Sequence, residues 1–140
     1  MSLMTATPYK INNMELKNRI IMLVMHTAFA NGGKLSEEDY AFFEARAKGS
    51  PAAITQVVGV NDEGTADSMP NVTDESFFDA EKRITDMIHS YGTKHIVQLF
   101  HRGRNAASDK GLKPIAPSNV PSGIYRNECE VMTAEKIEET

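Results

Sequence analysis

The sequence predicts an α/β fold built around a short parallel sheet, and three observations carry that prediction. Three branched apolar segments recur along the 140 residues: IIMLVM at 20–25, AAITQVVGV at 52–60 and HIVQLF at 95–100. None alternates cleanly in polarity, which suits strands covered on both faces, although periodicity alone does not separate such runs from buried helix. Between successive segments lies a stretch with the start, stripe and stop of an amphipathic helix. The order β-α-β-α-β, with strand starts spaced widely enough for right-handed crossovers, completes the argument.

Each element can be justified in turn. YKINNMELKN reads as a small hairpin around Asn12–Asn13. A strand near 19–25 follows, then a helix near 36–48 opened by Ser36 and Asp39 in the pattern of a capping box. Tyr40, Phe43 and Ala47 form its inner stripe and Gly49 is its stop. After a strand near 52–58 comes a helix near 77–91. Ser76 and Asp79 repeat the capping pattern there, Ile84, Met87, Ile88 and Tyr91 make the stripe, and Gly92 ends it. Both stripes predict packing of the two helices on one face of the sheet. A third strand is expected near 94–99. The glycine-, proline- and serine-rich DKGLKPIAPSNVPSGIYRNECEV then reads as a long connection, and TAEKIEET as a helix start capped by Thr133.

Composition narrows the function classes. The 140 residues amount to at most one ordinary domain, with 41% hydrophobic and 24% charged residues. A net charge of -4 without a basic block argues against nucleic-acid binding. The longest apolar run is too short for a bilayer, so no membrane partner is expected. The single cysteine, Cys129, excludes an intrachain disulfide. With no signal-peptide pattern, the expected location is cytoplasmic. No dinucleotide fingerprint, P-loop, HExxH or CxxC is present, and no metal site is expected. His26 and His101 could approach each other across strand ends, a weak metal signal without a placed acid.

The strand ends say more. MHT at 25–27, VNDEG at 60–64 and HRGR at 101–104 follow the three strands. In a parallel α/β fold they gather beyond the carboxyl ends, where sites are built. Gln98 interrupts the third apolar run and could offer a buried amide to a flat, hydrogen-bonding ligand; equally, it could fill a local hydrogen-bonding need. Arg102 and Arg104 stay open between surface charge and site.

The blocks LKNRIIMLVMHT (16–27), FFEARAKGS (42–50), GVNDEG (59–64), DMIHSYGTKHIVQLFHRGR (86–104) and PIAPSNVP (114–121) occur in an order that resembles the Old Yellow Enzyme family of flavin-dependent NAD(P)H oxidoreductases. MHT resembles the branch containing 2,4-dienoyl-CoA reductase and the bile-acid-inducible flavoproteins. The resemblance runs from about Pro8 to the last residue. It implies that residues 1–140 are the N-terminal portion, about three β-α units, of a (β/α)8 TIM barrel binding FMN at its carboxyl face.

By the same resemblance, Met25 and Thr27 would lie at the flavin edge, Val57 would touch the ring, and Gln98 would hydrogen-bond its pyrimidine part. His101 and Arg104 would support the rim. Gln56 stands where a glutamate is common. The implied reaction passes hydride from NAD(P)H through FMN to an activated C=C bond of a small-molecule substrate, such as an enone or enoyl thioester. The family's proton donor and phosphate site come from later strands, so no catalytic residue is assigned here. The expectation is therefore an incomplete barrel, and the rival reading is a flavin-free, inactive α/β fragment that self-associates as a homo-oligomer.

Overall fold

A computed structural model describes residues 3–106, 111–126 and 128–140. The chain opens with an antiparallel hairpin, β1 (Tyr9–Ile11) and β2 (Met14–Leu16), closed by the pair Ile11–Met14. Asn12 takes the left-handed conformation, with φ 50°, that a tight turn requires and asparagine tolerates. The hairpin is where the asparagine pair placed it.

The central sheet has the order β3 (Ile21–Met25), β4 (Ala53–Gly59), β5 (Lys94–Phe100), and both pairings are parallel. A register shift between Met22 and Met25 bends the end of β3. Helices α1 (Glu37–Lys48) and α2 (Ser76–Ser90) make the crossovers. Phe43 and Ala47 of α1, Ile84 and Ile88 of α2 and Ile54 of β4 form one buried cluster. Both helices therefore cover the same face of the sheet, as their stripes predicted.

The capping box of α1 is complete. Ser36 Oγ accepts from the Asp39 N–H while the Asp39 carboxylate accepts from the Ser36 N–H at 3.0 Å. Gly49 ends the helix in a right-handed conformation (φ -67°), and Ser50 takes the left-handed step at φ 59°. The start of α2 differs from expectation. Its N-cap is Glu75, and the Ser76 N–H is taken by Asp74 Oδ1 at 2.8 Å. Asp74 does the capping because it lies upstream of the first turn, where its oxygen can reach an unpaired N–H. Hydrogen bonds from Ser76 and Lys34 hold its carboxyl far below the usual carboxylate range. Gly92, φ 66°, follows the last turn of α2 as expected.

The segment read as a plain connection contains a short parallel ladder, β6 (Ile115–Ala116) with β7 (Glu130–Val131). Residues 109, 110 and 127 of that connection lie outside the described residues. A two-residue ladder is too short for a hydrophobic pattern to announce. The last helix, α3 (Ala134–Glu139), is capped by Thr133, whose hydroxyl accepts from the Lys136 N–H at 3.2 Å. Among the described residues, no helix is long and apolar enough to cross a membrane.

Candidate functional site

Parallel pairing brings the carboxyl ends of β3, β4 and β5 to one edge of the sheet. Val57 and Gln98 are register partners on β4 and β5, and Met25 pairs with Gln56, the residue before Val57. Met25, Val57 and Gln98 are thus brought together across three adjacent strands. Val57 is buried, whereas Met25 is 57% exposed.

Gln98 departs from its expected burial: it is exposed. The physical reason is its position on an edge strand, on the face opposite α1 and α2, since Val57 alternates with the helix-facing Ile54, Gln56 and Val58. Its amide has no hydrogen-bond partner among the described residues, so it presents a free donor and a free acceptor beside an apolar neighbour.

Thr27 lies just past β3, half-buried, with its hydroxyl donating to Asp39 Oδ1 at 2.6 Å. The other oxygen of Asp39, a fully buried residue, accepts from the Ser36 N–H and hydroxyl at 3.0 and 3.2 Å. The cap of α1 therefore fixes the Thr27 rotamer. Thr27 has used its only proton and keeps lone pairs for any ligand N–H. The capping box was legible from spacing; its link to Thr27 needed the fold.

The rim loops are tied to each other. His101 Nδ1 accepts from the Gly103 N–H at 2.9 Å, which places the ring proton on Nε2. Burial lowers the His101 pKa and keeps the ring neutral. The ring lies flush on the loop after β4: a Cβ added at Gly64 would sit 2.2 Å from His101 Cδ2. Only glycine fits there. Arg104 donates to Val120 O at 2.8 Å and Ser118 Oγ at 3.1 Å, and Arg102 to the Tyr125 hydroxyl at 3.2 Å. Both arginines brace the segment after β5. His26 is occupied by Ser68 O at 3.0 Å, and among the described residues no cluster of His, Cys, Asp or Glu could hold a metal ion.

Behind the site, between the sheet and α2, lies a polar group that spacing did not single out. Gln56 Nε2 donates to Glu81 Oε2 at 3.1 Å, Glu81 Oε1 lies 3.4 Å from His95 Nδ1, and Thr85 Oγ1 meets the same nitrogen at 2.9 Å. The side chains of His95 and Glu81 are only 2% and 13% exposed. Burial pushes the Glu81 carboxyl up to about 7, against the Gln56 hydrogen bond, and lowers His95 to about 4, helped by the nearby His89. The four-residue interval from Glu81 to Thr85 was the one local signal, since it puts both on one helix face.

Three parallel strands with their helices on one side, and their polar groups beyond the carboxyl ends, define a segment of the α/β-barrel class. Its fold is that of the N-terminal part of an Old Yellow Enzyme barrel. Solved structures of several relatives share it. Morphinone reductase superposes with a TM-score of 0.86 over 96% of this chain and 41% of its own, at 17% identity. A 2-naphthoyl-CoA reductase complex superposes with a TM-score of 0.90 over 97% of this chain and 23% of its own, at 25% identity.

Residues 6–140 match the NADH:flavin oxidoreductase / NADH oxidase family, and the chain belongs to that family. Among curated relatives, it is 32% identical to a metal reductase of Desulforamulus reducens over 95% of this chain and 20% of the relative. It is 31% identical to an NADH oxidase of Thermoanaerobacter brockii over 93% and 21%. An NADPH dehydrogenase of Bacillus pumilus is 28% identical over 96% and 40%. The chain thus spans between one fifth and two fifths of the length of these relatives.

Proposed function

We propose that these 140 residues supply the flavin-ring end of an FMN-dependent NAD(P)H oxidoreductase acting on an activated C=C bond of a small molecule, such as an enone or enoyl thioester. The observation that carries this reading is the unpartnered Gln98 amide standing in register with apolar Val57 beside Met25. An apolar strip edged by one free donor and one free acceptor fits a flat heteroaromatic ring with an amide-like rim. FMN bound there would supply the hydride chemistry, taking hydride from a reduced nicotinamide and giving it to the β-carbon of the substrate.

The roles of the chain's own residues follow from their bonding. Gln98 holds the ring edge by hydrogen bonds in both directions. Thr27, its proton committed to Asp39, receives a ligand N–H. Met25 and Val57 provide apolar contact and limit water beneath the ring. Gly64, His101 and Arg104 keep the rim loops in place. None of these residues is assigned proton delivery to substrate, and holding of the FMN phosphate belongs to the remainder of the barrel. The protein works in the cytoplasm, and the 140-residue span alone self-associates through exposed apolar groups such as Leu23 and Leu99, which are 75% and 64% exposed.

The test has two arms. In the flavin-loaded barrel containing this span, Gln98→Ala weakens FMN binding or shifts its reduction potential, with about 1–3 kcal/mol lost in affinity. In the 140-residue chain alone, of verified mass, FMN titration shows weak, unsaturated binding, and NAD(P)H oxidation shows no substrate-dependent turnover. Unchanged affinity and potential in the first arm remove Gln98 from the site. Stoichiometric flavin with turnover in the second places a complete active site within these residues.

A further inference from the structure

Gln56, Glu81 and His95 form a cluster whose bonding is informative atom by atom. It is built from both strands that carry Val57 and Gln98, on their opposite face, and sealed by α2. Among the described residues, the only buried side-chain atoms without a hydrogen-bond partner are Gln56 Oε1, Glu81 Oε1, His95 Nε2 and His101 Nε2. Three of the four therefore belong to this cluster. No lysine or arginine bonds to Glu81. An ionised carboxylate here would leave Oε1 without any donor within hydrogen-bonding geometry, and an imidazolium would leave a buried Nε2–H without an acceptor. Either charge alone in this space is costly.

We propose that Glu81 and His95 hold one proton between them, that in the folded chain it sits on the Glu81 carboxyl with a neutral imidazole, and that folding moves it there from His95. The transfer balances. At mildly acidic pH the unfolded chain carries a carboxylate and an imidazolium, and the folded chain carries a carboxylic acid and an imidazole. One proton is bound in both states and no net charge is buried. The inference concerns the back of the sheet and does not depend on what binds in front of it.

The titration behaviour follows the same geometry. Glu81, raised from 4.5 to about 7 by burial, makes the folded state bind the extra proton between those values, so its contribution falls as pH rises through them. His95, lowered from 6.5 to about 4, makes the unfolded state bind the extra proton, so its contribution rises with pH between about 4 and 6.5. Across the shared window the two slopes cancel. Other groups near the cluster are Tyr40, whose hydroxyl donates to Ala80 O from α1, and His89 on α2; Phe43 of α1 packs on His95 with ring centroids 6.4 Å apart. Arg83 is outward, paired with Glu37 and stacked on Tyr40. On β3, Met22 packs against the same core without a charge.

The experiment compares urea unfolding of the chain with Glu81→Gln, His95→Asn and the double variant from pH 4 to 8, each read as a difference from wild type so that exposed carboxylates cancel. Glu81→Gln is expected to gain stability relative to wild type as pH rises from 4.5 to about 7. His95→Asn is expected to lose it from about 4 to 6.5. Each change is on the order of a hundredfold in the folding constant, and the double variant shows a flat difference. In wild type at pH 6, the 13C shift of the Glu81 carboxyl should be that of a protonated acid. A carboxylate shift there, or differences of the opposite sign, which are those an ion pair would give, would overturn the proposal. The shift measurement needs no variant to fold.

Discussion

Strands β4 and β5 are both seven residues long, both rich in branched apolar side chains and hydrogen-bonded to each other along their whole length, yet they live in different surroundings. Six of the seven residues of β4 are buried, while none of β5 is. The difference lies in their neighbours. β4 has a strand on either side and α1 and α2 behind it; β5 is an edge, and Val97 and Leu99 on its helix-side face are 40% and 64% exposed. An apolar run records the burial a strand is built for, and only its neighbours decide how much of that burial is realised. Gln98, read from the run as a buried amide, is exposed for this reason.

The sharpest way to break this comparison is to truncate equivalent side chains in the two strands. Ile54→Ala, at a fully buried site in the core cluster, should destabilise the chain by about 2–5 kcal/mol, whereas Leu99→Ala should change it by less than about 0.5 kcal/mol. Urea midpoints at a protein concentration low enough to keep the chain monomeric measure both. Comparable losses in the monomer would mean that β5 is covered within the chain itself.

A smaller effect is expected where the two strands' carboxyl ends are clamped. Gly64→Ala forces a methyl into the His101 ring and should cost about 1–3 kcal/mol in thermal unfolding, because the neighbour is a half-buried ring held by the Gly103 N–H rather than a flexible tip. Tolerance of alanine there would mean that the loop after β4 does not rest on the residue after β5. The smallest contrast lies within one register pair. Val57→Ala should lose about 1–2 kcal/mol for its buried methyl groups, and Gln98→Ala should leave the stability of the chain within about 0.5 kcal/mol. A large loss at Gln98 would assign it a structural hydrogen bond instead of a free amide.

What could be read from the sequence divides along physical lines. The three strands, the Asn12 turn, the Ser36–Asp39 box and the Gly92 stop were legible because each is a local pattern fixed by backbone geometry. Asp74 was missed because Ser76 and Asp79 reproduce the same spacing two residues late, and only the fold shows which oxygen reaches the free N–H. At the site, the juxtaposition of Met25, Val57 and Gln98 follows from parallel order alone. The commitment of Thr27 to Asp39 and the Gln56–Glu81–His95 cluster did not, since each joins residues 12 to 39 positions apart whose contact depends on register and helix rotation.

The central claim is that the carboxyl-end face of β3–β5 receives a flavin ring, and the most direct measurement is amide-shift mapping of the 140-residue chain during FMN titration to high concentration. The Gln98 side-chain NH2 and the backbone amides of Thr27 and Val57 are expected to shift together along one binding curve, weak as that curve is. The opposite end of the sheet has its own groove, lined by Pro8, Tyr9, Lys17, Gly92 and Lys94. Shifts confined to that groove, with Gln98 and Val57 unmoved at saturation, would contradict the claim.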